Sequence, residues 1–110
     1  MKFEQKQDYV LFTSESESFN DFYDFFTANH KTFTQNSVFI YLSSKLNLQT
    51  SDISLFLQYA DLHQKNGTTF VVIYQNVDVD SFPETFNIVP TLVEAEDVLE
   101  MENIQRDLGF

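Results

Sequence analysis

Two short runs in which every residue is apolar, Val38-Phe39-Ile40-Tyr41-Leu42 and Phe70-Val71-Val72-Ile73-Tyr74, constrain this chain more than any other feature. A strand with one buried face alternates apolar and polar side chains, whereas a strand apolar throughout needs cover on both faces. Around these runs stand segments of a different period. Phe19, Phe22, Tyr23 and Phe26 recur at i, i+3, i+4, i+7, and Ile53, Phe56, Leu57 and Ala60 repeat the spacing. That is the stripe of an amphipathic helix. Buried strands separated by helical stripes imply a mostly parallel sheet with right-handed crossovers.

The punctuation agrees with this alternation. Lys2-Phe3-Glu4-Gln5 and Tyr9-Val10-Leu11-Phe12 are expected to pair across a turn near Lys6-Gln7-Asp8. Ser18, followed three residues later by Asp21, resembles a capping box and opens the first helix, which ends near Asn29-His30-Lys31. The second helix is expected to begin at Thr50-Ser51 and to end at Asn66-Gly67, where glycine takes the left-handed conformation without Cβ strain. Ser81-Phe82-Pro83-Glu84 predicts a third, short helix with proline in its first turn. Asn87-Ile88-Val89-Pro90 is a brief strand, and Thr91 with Glu94 caps a last helix carrying Leu92, Ala95, Val98 and Leu99. The predicted order is β-β-α-β-α-β-α-β-α in one domain over residues 1–110. The expected fold class is α/β, with a mixed sheet of four to five strands and about four helices, mainly on one face.

With 110 residues and 43% hydrophobic content, the chain can build a core without disulfides or metal. It has no cysteine, which removes thiolate catalysis and Cys-ligated zinc. No apolar run approaches the length needed to span a bilayer, and the polar start lacks a signal-peptide pattern, so a cytoplasmic location is expected. Six Lys and Arg against 17 Asp and Glu leave a net charge of −11. That charge repels phosphate backbones and anionic membranes and admits a protein partner with a basic surface.

Several chemistries can be weighed residue by residue. Only Gly67 and Gly109 are glycines, so no phosphate-cradling loop can be drawn, and no cofactor is expected. His30 and His63 lack companions at metal-ligand spacing and read as surface residues at helix ends. Asp78, Asp80 and Glu84 lack the longer pattern and central glycine of a calcium loop. Glu94, Glu96, Asp97, Glu100 and Glu102 form a solvated face or an acidic strip for a basic partner rather than a catalytic pair. Phe25 lies off the first helix stripe and Phe33 follows it; such extra aromatics suit either core packing or a protein contact, including a homodimer. Leu108-Gly109-Phe110 is an apolar tip that either folds back on the sheet or docks into a partner. No catalytic, cofactor or metal site is expected.

The pieces Phe39-Ile40-Tyr41-Leu42-Ser43, Gln49-Thr50-Ser51-Asp52-Ile53, Lys65-Asn66-Gly67 and Val93-Glu94-Ala95 stand in an order that resembles a STAS domain, the sulphate-transporter and anti-sigma-factor-antagonist type. The resemblance in element order covers nearly the whole chain. It implies a protein–protein interaction module, regulated by phosphorylation where the second helix starts. The positions that match are Thr50 and Ser51, with a partner surface over Ser43, Ser44, Lys45, Leu48, Gln49, Asp52 and Ser54. The family usually has Asp before its phosphorylated residue, where this chain has Gln49, and small residues after it, where this chain has Ser51-Asp52. The tail from Glu100 to Phe110 is similar to that of short flavobacterial proteins labelled ribonuclease Z. That activity needs a clustered His-x-His-x-Asp-His motif, which is missing here, so this likeness implies at most an accessory of an RNA-processing nuclease.

Overall fold

A computed structural model describes residues 1–109 of the chain. Five strands form one mixed sheet: β1 (Lys2–Gln5), β2 (Val10–Thr13), β3 (Val38–Leu42), β4 (Phe70–Tyr74) and β5 (Ile88–Val89). Their order across the sheet is their order along the chain. β1 is antiparallel to β2, with Phe3 opposite Phe12, and every later pair is parallel. Because the chain advances across the sheet in one direction, right-handed crossovers must place the connecting helices on a single face. Those helices are α1 (Phe19–His30) between β2 and β3, then α2 (Thr50–Ser54) and α3 (Leu57–Asn66) between β3 and β4.

Side chains alternate across each strand and build a core on both sides. Val10, Phe12, Val38, Ile40, Leu42, Phe70, Val72, Tyr74 and Ile88 face α1–α3 and pack with Phe19, Phe22, Phe26, Ile53 and Phe56. The opposite face, Leu11, Phe39, Val71 and Ile73, packs against Ala95 and Leu99 of α4 (Leu92–Asp107). Among the described residues α4 does not connect two parallel strands, so the crossover rule does not place it beside the other helices. This two-sided cover explains the apolar residues of β3 and β4, except Tyr41, which is exposed.

The expected second helix is divided in two. Leu55 N–H and Phe56 N–H donate to carbonyls three residues back, at 3.3 and 3.0 Å. That tighter turn keeps both Ile53 and Phe56 inside before α3 begins. The expected third helix is corrected as well. Residues Val79–Ser81 form a single 3-10 turn, and Phe82 is extended at φ −127° and ψ 157°. A residue preceding proline is sterically excluded from the helical region, so Pro83 follows the turn instead of sitting in its first positions.

The helix ends behave as their residues predict. Ser18 Oγ accepts from Asp21 N–H at 3.1 Å, and Thr91 Oγ1 accepts from Glu94 N–H at 3.3 Å. Gly67 closes α3 at φ +76°. A Cβ there would meet nothing within 4 Å, so its cost is purely backbone strain. Gly67→Ala is therefore expected to lower stability by about 1 kcal/mol, read as a shift in the urea midpoint at unchanged slope.

Of the two roles open to the extra aromatic residues, Phe25 and Phe33 take core packing. Phe33 is buried, and Phe25 is half-buried beneath Phe3, whose ring lies 6.1 Å from Phe25 and 5.2 Å from Phe33. Strand β1 thus covers this part of the apolar surface of α1 from within the same chain. At the tail, Leu108 projects into solvent and does not fold back on the sheet; Phe110 lies outside the described residues. Among the described residues no helix is long and apolar enough to cross a membrane.

Candidate functional site

The predicted interaction residues gather where β2 and β3 end, on the carboxyl rim of the parallel strands. Beyond β2, Ser14 is buried, and its Oγ accepts from Ser43 N–H at 2.9 Å. Ser43 opens a tight turn: its Oγ accepts from Lys45 N–H at 3.2 Å and its carbonyl from Leu46 N–H at 3.1 Å. Asn76, from the loop after β4, donates its side-chain amide to Ser44 O at 3.3 Å. The Tyr74 hydroxyl donates to Leu46 O at 2.6 Å, while Leu48 N–H donates to that hydroxyl at 3.5 Å. Leu46 and Leu48 pack on the core beneath. The segment between β3 and α2 is thus held from two neighbouring strands.

That anchoring delivers α2 to the surface. Gln49, not Thr50 or Ser51, is its N-cap residue, which corrects the expected position by one residue. Asp52 Oδ2 accepts from Gln49 N–H at 3.0 Å, so the carboxylate already occupies the helix entrance. Thr50 and Ser51 stand side by side in the first turn, both exposed, while Ser54 at its end is half-buried. With only one turn behind it, α2 lends little macrodipole to an anion. A phosphate on either hydroxyl would act by adding charge to the surface.

A small cavity of about 170 Å³ lies on the same rim, lined by Ser14, Tyr41, Ser43, Ser44, Gln75 and Pro90 among others. Its lining offers hydroxyl and amide hydrogen bonds and carries no carboxylate, amine or imidazole. A serine nucleophile needs an adjacent base, which this lining does not supply.

The histidines depart most from expectation. They are not surface residues: His30 is 3% exposed and His63 is fully buried, with their Nε2 atoms 2.7 Å apart. His63 Nδ1 is also 2.7 Å from the Thr68 hydroxyl. Each histidine continues the apolar stripe of its helix, His30 four residues after Phe26 and His63 seven after Phe56, and that spacing was the available signal. Burial lowers both imidazoles from their ordinary values. His63 is pushed down to about 4 by burial and then by the proximity of His30. The pair is sealed under Phe26, Tyr59 and Phe70 and belongs to the core.

A second polar cluster was not visible in the sequence because its members lie far apart in the chain. Buried Thr69, just before β4, donates its hydroxyl to Glu102 Oε1 at 2.8 Å, and Asn87, just before β5, donates to Glu102 Oε2 at 2.8 Å. Arg106 Nη2 donates to Thr69 Oγ1 at 2.9 Å and to Asn103 Oδ1 at 2.6 Å. These bonds fasten the second half of α4 to the amino ends of two strands. Asp78 and Glu84 lie in loops and Asp80 in the 3-10 turn, all three exposed, and among the described residues no three potential metal ligands converge. No protein-family model and no curated protein matches the chain.

Proposed function

We propose that this chain is a non-catalytic protein–protein interaction module of the anti-sigma-factor-antagonist kind. Its partner docks on the carboxyl rim formed by Ser43, Ser44, Lys45, Leu48, Gln49, Asp52 and Ser54, and phosphorylation at Thr50 or Ser51 switches that docking. The observation that carries this reading is the pair of exposed hydroxyls in the first turn of α2. They stand beside a loop held in one shape by Ser14, Tyr74 and Asn76. Such a rim offers a fixed surface whose charge changes while its fold does not. The element order, with the helices between parallel strands on one face, also supports the resemblance from which the reading comes.

The experiment is a comparative capture from native lysate with wild type, Thr50→Glu, Ser51→Glu and the two alanine variants. The glutamates are expected to change the amount of the captured partner about tenfold, while the alanines keep the wild-type level. Identical partners at identical strength across all five proteins would remove the switch.

A further inference from the structure

The face of α4 turned away from the sheet is a second and separate surface. Leu108, Val93, Met101 and Ile104, between 53% and 67% exposed, are the four most exposed large apolar side chains among the described residues. Three lie on this one helix, and Leu108 is the residue that caps its end. Met101, Ile104 and Leu108 follow i, i+3, i+7, and Val93 stands about three turns before Ile104, so they form one row along the axis. This row lies opposite Ala95 and Leu99, which α4 buries against the sheet. The helix is therefore apolar on two opposed faces, and only one has a partner within the fold. Isolated exposed apolar residues are ordinary on protein surfaces; a row of the four most exposed on one helix face is not.

Beside this row runs a groove of about 370 Å³, between α4 and the turn joining β1 to β2. Tyr9, Leu99 and Ile104 contribute its apolar lining, and Ile104 belongs to the exposed row as well. Its charged lining is Asp8, Glu96, Glu100 and Asp107, with no lysine or arginine. The one cation of α4, Arg106, is turned toward Thr69 and Glu102 on the other side. An apolar floor under carboxylates fits the alkyl stems of lysine or arginine with their heads among the acids. The same charge argues against a second copy, since two chains of −11 would meet through their most acidic helix.

We infer that the outer face of α4 and the groove beside it dock a basic amphipathic helix of another protein. The partner's apolar residues cover Met101 and Ile104, and its lysines or arginines enter between Asp8, Glu96, Glu100 and Asp107. This surface lies across the sheet from α2, so the inference stands apart from the proposed rim.

The probe is a fluorescent amphipathic helical peptide of leucine and lysine, titrated by anisotropy at physiological salt. Met101→Ser with Ile104→Ser is expected to weaken binding about tenfold, and Glu100→Gln with Asp107→Asn by a similar factor. Both pairs are solvent-exposed, and thermal melts matching wild type verify that the fold is kept. Asp21→Asn with Asp24→Asn removes the same charge from the exposed side of α1 and is expected to change binding less than about twofold, as is Thr50→Glu. Failure of the peptide to bind, or equal weakening by all the charge variants, overturns the inference in favour of diffuse attraction. Self-association, or binding to phosphatidylcholine vesicles, that Ile104→Ser abolishes overturns it in favour of a second copy or a membrane.

Discussion

Replacing Phe26 with alanine is expected to lower stability by about 3–5 kcal/mol, a large part of the roughly 5–15 kcal/mol that holds a domain together. Phe26 is fully buried at the meeting point of α1, α3 and the sheet. Its ring lies 4.9 Å from Tyr59, 5.1 Å from Phe12 and 5.4 Å from Phe56, each approached edge-on, and 6.2 Å from Phe70. The neighbours come from several elements, so none can collapse into the void without leaving its own contacts. Chemical denaturation followed by circular dichroism measures the loss. Phe25→Ala, at the half-buried margin under β1, is expected to cost clearly less. Equal losses at the two positions would contradict the central role given to Phe26.

Acid is expected to weaken the fold well before the carboxylates titrate. The Nε2···Nε2 contact requires one ring nitrogen to carry a hydrogen and the other to be bare. Protonating both rings would set two N–H groups against each other. The groups facing the pair are Tyr59, held neutral with its pKa raised to about 12, the Thr68 hydroxyl, the Asn36 carbonyl, and the rings of Phe26 and Phe70. None of these carries a negative charge to stabilise an imidazolium. The unfolded chain binds its proton near 6.5, and the folded chain binds it at His63 only near 4. Stability is therefore complete above pH 6.5 and falls as pH drops toward 4, by about 3 kcal/mol for His63 alone. Urea midpoints across this range measure the slope. Replacing both rings, His30→Leu with His63→Leu, removes both ends of the hydrogen bond together and is expected to flatten the dependence while the protein stays folded. An unchanged slope in the double variant would place the acid sensitivity elsewhere.

The strands were legible because continuous apolar runs such as Val38–Leu42 state their own burial. The starts of α1 and α4 were legible because Ser18 and Thr91 cap as their chemistry dictates. The break between α2 and α3 was not, since Ile53, Phe56, Leu57 and Ala60 keep helical spacing straight through it. Phe25 and Phe33 looked surplus because nothing local indicates that Phe3 returns to cover them. The burial of His30 and His63 is masked by their titratable side chains, although both stand on apolar stripes. At the rim, the exposure of Thr50 and Ser51 followed from the expected helix start. The bonds from Tyr74 and Asn76 that hold the rim depend on tertiary contact and leave no local pattern.

A sheet whose spatial order equals its chain order also has a history written into it. Each strand is laid beside the one made just before it, and none must be threaded between earlier neighbours. Only the β1–β2 hairpin closes a short loop; the parallel pairings, such as Val10 with Val38 and Val38 with Phe70, each close over a helical crossover and set the pace of assembly. During synthesis, the hairpin of β1 and β2 can serve as the template to which β3, β4 and β5 are added in turn as each emerges. Helix α4 follows β5 and covers the side of β3 and β4 that α1–α3 leave bare. Without α4, Phe39, Val71 and Ile73 would face water, so this helix acts as the lid on the second side of the core.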